Sequence, residues 1–210
     1  MKIDKVKDYT IELYEKLGKK YIQDIANVKS KELPEFIKIL PKKAKILEIG
    51  CAGGRDAEFF IKKGFKYIGI DLVDKFLKEA RKNAPQGKFI KMDFLDLKFP
   101  DNYFDAIWAN AVLLHINKKK LPNVLNGFYR VLKIGGKLHI SVKRGRGTKY
   151  VKDKISGGRE RVFTFFYKKE MENYLKEAGF KIIASRIFHD ELGRKDVKWV
   201  SVWGDKISVN

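Results

Sequence analysis

Ile46-Leu47-Glu48-Ile49-Gly50-Cys51-Ala52-Gly53-Gly54 runs from a short apolar segment straight into a glycine-rich turn. The apolar segment, Ala44 to Ile49, reads as a strand. Arg55 to about Lys63 reads as a helix, with Phe59 and Phe60 on its inner face and Gly64 as its C-terminal stop. A strand, a glycine bend and a helix with free N–H groups make an edge at which a nucleoside bearing charged groups can lie.

Outward from this unit, strand-like and helix-like stretches alternate, as in a parallel α/β sheet. Strands are expected over Tyr67 to Asp71, Lys88 to Met92, Phe104 to Ala109 and Lys137 to Val142, the last entered through Gly135-Gly136. Two more, Phe180 to Phe188 and Lys198 to Val202, are joined by a polar turn and read as an antiparallel hairpin. Helices are expected at Lys5 to Val28, Glu32 to Leu40, the stretch carrying Phe76, Leu77 and Ala80, Leu121 to Leu132, and Lys168 to Ala178 before Gly179. Asp74 is the expected N-cap of the third of these. The architecture implied is a doubly wound, mostly parallel seven-stranded α/β sheet with helices on both faces. A single domain over 1–210 is expected, with 1–40 as a helical cap and 143–166 as a basic loop.

Asp71 ends its strand 23 residues after Glu48, where an acid can accept hydrogen bonds from both hydroxyls of a ribose. A dinucleotide fingerprint counted from Gly50 places Ala52 and Arg55 at its second and third glycines, so the third small residue is missing. No G-x-x-x-x-G-K-[ST] string occurs. What remains is acid-x-G-x-small-x-G, carried by Glu48, Gly50, Ala52 and Gly54.

With these segments in this order, the chain resembles a class I S-adenosylmethionine-dependent methyltransferase, close to the small type-11 kind. Residues 46–54 resemble the family's first motif, with Ala52 where the family usually has glycine. Residues 67–71 resemble the strand whose acid holds the ribose. Met92-Asp93-Phe94 resembles the adenine-contacting segment, 99–105 the approach to the fourth strand, and 130–138 the turn into the fifth. The resemblance implies S-adenosylmethionine as methyl donor and no metal. It implies Asp71 and Leu72 at the ribose, and Asp93 and Phe94 at the adenine. It implies Gly50, Gly54, Arg55 and Glu48 at the methionine end, and Asn110 where donor and acceptor meet. Arg55 and Glu48 have plainer readings as a helix-start arginine and a loop-organising carboxylate.

Tyr14 and Tyr21 lie on one face of the first helix, which often covers the donor site in such enzymes. They either pack as core tyrosines or face a sulfonium. His115 either acts as a base or packs. Asn110 and His115 are thus the catalytic candidates.

Composition bears on the acceptor. There are 46 Lys and Arg against 26 Asp and Glu, a formal charge of +20. Such a balance favours anionic partners. Lys-rich chains with few Gln, here Gln23 and Gln86, also accompany heat adaptation. Between 133 and 161 stand ten basic residues against Asp153 and Glu160, with Tyr150, Phe163, Phe165, Phe166 and Tyr167 nearby. RNA fits this segment, and so does a small anionic metabolite or nucleotide-like acceptor. Residues 141–147, 161–164, Gly193-Arg194 and Trp199 resemble a subgroup of small methyltransferases. That likeness makes Lys143, Arg161, Arg194 and Trp199 acceptor-side candidates.

The sole cysteine, Cys51, excludes a disulfide framework. Its place in the glycine turn argues against ring-carbon pyrimidine methylation through a Cys nucleophile. Ala109-Asn110-Ala111-Val112 stands where amino-methylating nucleic-acid enzymes carry [DNS]-P-P-[FYW]. The longest apolar run, Ala106 to Ile116, is about half the roughly 20 residues of a membrane span. The opening residues, 1–4, show no apolar secretory core, so a cytoplasmic setting without membrane partners is expected. Three readings stand at this point: methyl transfer to a small anion, methyl transfer to tRNA, and a non-catalytic nucleotide-binding domain.

Overall fold

β1 (Lys45–Ile49) is buried at four of its five positions, because both faces of a central parallel strand are covered. In this computed structural model, which describes residues 5–28, 30–152 and 154–208, β1 pairs in parallel with β2 (Lys66–Asp71) and β4 (Phe104–Asn110). Residues 1–4 and Asp153, read above, lie outside the described residues. β3 (Lys88–Lys91) extends the parallel set beyond β2, and β5 (Leu132–Lys143) extends it beyond β4. A separate hairpin of β6 (Thr148–Lys152) and β7 (Glu160–Thr164) follows. β8 (Phe180–His189) and β9 (Lys198–Lys206) then close the main sheet, with β9 antiparallel to β5. The order β3-β2-β1-β4-β5-β9-β8 reverses direction of growth between β1 and β4, which opens a crevice beyond their carboxyl ends.

One face of the sheet is covered by α2 (Leu33–Lys38), α3 (Arg55–Lys62) and α4 (Asp74–Asn83), through Phe36, Phe60 and Leu77 against Ile46 and Trp108. The other carries α5 (Leu121–Val131) and α6 (Lys168–Glu177), through Phe128, Met171 and Leu175 against Leu47 and Ile107. Among the described residues, no helix is long and apolar enough to cross a membrane.

Four local expectations are corrected. The first helix, α1 (Lys5–Ile25), stops three residues early and breaks at Gly18, whose φ of 50° and ψ of −130° only glycine adopts without strain. Beyond the break, Ile22 lies on the glycine turn: a Cβ added at Gly53 would sit 2.4 Å from Ile22 Cγ2. Asp74 is not an N-cap. Val73 precedes the helix in extended conformation, and the Asp74 N–H donates to Glu15 Oε1 at 2.5 Å. Residues 132–136 begin β5 rather than standing outside it. Phe104 pairs with Leu132 and Ala106 with Lys137, so the residues between bulge out, with Gly135 at φ 77°. The 143–166 segment is not a loop throughout, because residues 148–152 and 160–164 pair as β6 and β7.

Candidate active site

The turn after β1 is tied to its neighbour strand. Gly50 and Cys51 donate their N–H groups to the Ile70 carbonyl at 2.8 and 3.0 Å. Gly50 has φ 68°, and a Cβ there would lie 2.6 Å from Val112 Cγ2, so no other residue fits without moving the loop after β4. Asp71 fastens the turn from the other side. Its Oδ2 accepts from the Ala52 N–H at 2.9 Å, and its Oδ1 accepts from Leu72 and Val73 at 2.7 and 3.0 Å. Burial pushes the Asp71 carboxyl pKa up, against the lowering effect of those three donors.

Ala52 stands at φ 44°, a left-handed conformation that costs a residue with a Cβ about 1–2 kcal/mol. Ala52→Gly is therefore expected to gain up to about 1 kcal/mol, the relieved strain exceeding the extra freedom of glycine in the unfolded chain. Thermal denaturation checks this, and a lowered midpoint refutes it.

Two adjoining clefts open above this edge. One of about 120 Å³ is lined by Asp71, Leu72, Phe76, Met92, Phe94 and Leu95, among others. The other, of about 430 Å³, reaches from the glycine turn past Asn110 to Lys143, Arg161, Arg194 and Trp199. Tyr14, Tyr21, Gly50, Ala52, Ala111 and His115 line both. The structure thus gathers Glu48, Gly50, Gly54, Arg55, Asp71, Leu72, Phe94, Asn110, Tyr14, Tyr21 and His115 around one connected space. Asp93 is not among the lining residues. Its Oδ1 accepts from the Leu95 N–H at 3.0 Å, shaping the turn that presents Phe94 and Leu95.

Arg55 and Glu48 are engaged within the protein. The Arg55 guanidinium donates to both oxygens of Asp56, Nε at 2.7 Å and Nη2 at 3.1 Å. Glu48 Oε2 accepts from the Tyr67 hydroxyl at 2.5 Å. Burial and the neighbouring Asp56 push the Glu48 carboxyl well above the usual carboxylate range.

Asp56 is a residue that sequence reasoning missed. It is 4% exposed and accepts from Trp108 Nε1 at 2.9 Å and, more weakly, from Asn110 Nδ2 at 3.5 Å. Burial opposes its charge, but Arg55 and these donors outweigh burial and hold the carboxyl below its ordinary value. A signal was present: Trp108 sits mid-strand, and a buried indole N–H needs an acceptor. Asn110 is held at its other end as well, its Oδ1 accepting from the Ser141 hydroxyl at 2.5 Å.

On the acceptor side, Arg161 Nη1 donates to the Tyr14 hydroxyl at 3.2 Å, which leaves that hydroxyl to donate to His115 Nε2, also at 3.2 Å. The Lys143 ammonium lies 3.7 Å from the Phe163 ring centroid and the Arg161 guanidinium 4.8 Å from it. Asp190, the second residue missed, collects the β8–β9 connection. It accepts from the Leu192 and Arg194 N–H groups, from the Arg194 guanidinium at 2.9 and 2.7 Å, and from Trp199 Nε1 at 2.8 Å. An Asp two residues before an exposed leucine in a polar turn is the pattern of an Asx turn, and that was its signal.

His115 is half-buried, and the desolvation of its ring lowers its pKa to about 3, with Arg161 and Lys143 adding to the shift. The unfolded chain, with an ordinary histidine pKa near 6.5, therefore binds the more protons as pH falls below about 6.5. Stability contributed by neutral His115 is complete above that pH and is lost progressively toward pH 3. His115→Gln keeps an acceptor for Tyr14 and removes the titration. It is expected to flatten the acid limb by up to about 1.4 kcal/mol per pH unit. Urea denaturation from pH 7.5 to 4.5 checks this, and parallel parent and variant curves refute it.

Comparison with known proteins agrees with this geometry. Residues 47–140 match a methyltransferase domain family. The chain is 30% identical over 92 residues to an uncharacterised methyltransferase of Synechocystis, covering 44% of this chain and 43% of the relative. It is 31% identical over 176 residues to an S-adenosyl-L-methionine-dependent Diels-Alderase of Talaromyces variabilis, covering 73% of this chain and 58% of the relative. The chain thus spans about half the length of these curated relatives. Among solved structures, it is similar to the 1,6-didemethyltoxoflavin-N1-methyltransferase of Burkholderia thailandensis, bound to 1,6-didemethyltoxoflavin and S-adenosylhomocysteine. That match has a TM-score of 0.76 at 16% identity, over 96% of this chain and 87% of that one. A domain match that starts inside β1 and ends inside β5, over the strands that build both clefts, supports a class I S-adenosylmethionine-dependent methyltransferase of the type-11 kind.

Proposed function

We propose that the protein moves the methyl group of S-adenosylmethionine to a small anionic acceptor. The observation that carries this reading is the lining of the 430 Å³ cleft, which runs from the glycine turn with Glu48, Arg55 and Asp56 to the cations Lys143 and Arg161 and the Arg194–Asp190 ion pair. The cradle fits the donor. Gly50 and Gly53 leave no room for a Cβ, and the smaller cleft offers a carboxylate beside apolar walls.

When bound, the donor supplies a methyl group already activated on a sulfonium, so positioning is the protein's main task. In this reading Asp71 and Leu72 hold the ribose. Met92, Phe94 and Leu95 enclose the adenine, and Asp93 acts through the turn it sets. Gly50, Gly54 and Glu48 receive the methionine end, whose carboxylate is left to backbone N–H groups because Arg55 is turned to Asp56. Tyr14 and Tyr21 close the space from α1, and Asn110 sits at the junction. His115, neutral and poorly basic, keeps the Tyr14 hydroxyl oriented rather than taking up a proton. An acceptor whose attacking atom has no proton to shed needs no base, which agrees with that assignment.

A second reading is supported by the β6–β7 side, where Arg144, Arg146, Lys149, Lys152 and Arg159 are exposed and Tyr150 is 53% exposed. These suit an RNA backbone and a stacked base. Since one relative is named for a cyclisation, donor binding and methyl transfer are tested apart. Calorimetry with S-adenosylhomocysteine is expected to show binding at sub-millimolar ligand, and its absence refutes the donor assignment. Incubation with methyl-labelled donor and separate metabolite and tRNA pools is expected to label the small molecules. Label confined to tRNA refutes the acceptor class.

A further inference from the structure

We propose that the acceptor is a flat aryl acid, and that Asp190 is the positioning residue that sets its recognition. This rests on the methyl-transfer reading and narrows its acceptor. Where Asp190 pairs with Arg194, the larger cleft sets its cations among aromatic rings. Lys143 and Arg161, each 5% exposed, flank Phe163, and Phe188, Arg194 and Trp199 complete the wall. Cations set among aromatic rings suit a ligand that joins a negative group to a planar apolar body. A polyol phosphate or a short aliphatic acid would leave the rings facing nothing they favour.

The second observation is how this wall is fixed. One oxygen of Asp190, Oδ1, accepts from both Arg194 Nη2 and Trp199 Nε1, at 2.7 and 2.8 Å. The charge and the ring are thereby locked at one separation, with the Asp190 side chain only 2% exposed. The indole N–H is consumed, so Trp199 offers the cleft carbon surface rather than a donor. A planar guanidinium held beside an indole in this way suits a carboxylate attached to a ring. Preorganisation of this kind favours ligands of matching shape because the ordering cost is met before binding.

The test uses the full chain saturated with S-adenosylhomocysteine, titrated calorimetrically with benzoate and indole-3-carboxylate. Benzamide serves as the neutral analogue and cyclohexanecarboxylate as the non-aromatic one. Benzoate is expected to bind about tenfold or more tighter than benzamide, the worth of a hydrogen bond to a charged group. It is expected to bind roughly 3–10-fold tighter than cyclohexanecarboxylate, the worth of an aromatic pair beyond its area. Asp190→Asn is expected to reduce both preferences, and Trp199→Leu only the second. S-adenosylhomocysteine binding by each variant reports that it is folded, and Arg194→Gln, which removes the first preference, replaces an unfolded Asp190 variant. Equal binding of benzoate and its two analogues by a donor-loaded protein overturns this inference and leaves the donor reading standing. So does salt-sensitive binding of a tRNA pool with no binding of benzoate. A parent protein that fails to bind S-adenosylhomocysteine overturns both.

Discussion

An Asp56→Ala protein is expected to be about 3–5 kcal/mol less stable than the parent, the loss typical of breaking a buried ion pair from one side. The reason lies in what the carboxylate leaves behind. Arg55 loses both its contacts at 2.7 and 3.1 Å, and the Trp108 indole N–H, in a side chain with no exposure, loses its acceptor. Asn110 loses the weaker contact that holds its amide. Stability and the donor end of the cleft thus fail together, because Arg55 and Asn110 both line it. The pH dependence has a definite sign. The folded-state pKa of Asp56 lies below its ordinary value, since Arg55 and the two donors outweigh burial. Its contribution is therefore fully present above the unfolded pKa near 3.9 and is lost as pH falls through the folded value. The gap between parent and variant should stay constant from pH 8 to about 5 and shrink below about 4. Urea denaturation at several pH values measures it. A gap under about 1 kcal/mol, or one unchanged at pH 3, shows that Asp56 is not the charged hub described here.

Asp56 also shows where reading the chain from sequence stops. The strand-turn-helix at 46–60 was legible because its signals are local: apolar run, glycines, then a helical apolar face. The parallel character of the sheet followed from the alternation of elements, and the final hairpin from its polar turn. The nearness of the glycine turn and Asp71 was legible for the same reason, since a strand end fixes where an acid points. Long-range pairing was not legible. Asp56 and Trp108 are 52 residues apart, and Arg161 and Tyr14 are 147 apart. Nothing in either neighbourhood names the other. Arg55 accordingly reads from sequence either as a ligand's partner or as a helix-start arginine, and its contacts with Asp56, its nearest neighbour in sequence, were not foreseen. The 143–166 segment misled for a different reason. Its charge and glycines mask two short strands that do not alternate, β6 being largely exposed and β7 buried from Arg161 to Thr164.

The second large effect is expected at Asp71. Asp71→Ala should weaken S-adenosylhomocysteine binding by about a hundredfold or more, the worth of one to two hydrogen bonds to a charged acceptor. Two causes act together and can be separated. The first is the ribose assignment, in which the carboxylate's remaining lone pair, on Oδ2, accepts from a sugar hydroxyl. The second is visible in the fold itself: the same carboxylate holds the N–H groups of Ala52, Leu72 and Val73. Of these, Ala52 is the one in a strained backbone, at φ 44°, and without its acceptor the turn has less reason to keep that conformation. Hydrogen exchange of the Ala52 amide in the ligand-free protein reads the second cause alone, and calorimetry reads both. Asp71→Asn divides them further. Its amide oxygen can still accept from Leu72 and Val73, while its NH2 group faces the Ala52 N–H, donor against donor. Loop protection at Ala52 should therefore fall in both variants, and donor affinity should fall further in the alanine protein. An alanine variant that binds as tightly as the parent removes Asp71 from the ribose. Unchanged Ala52 protection in both variants removes it from the turn.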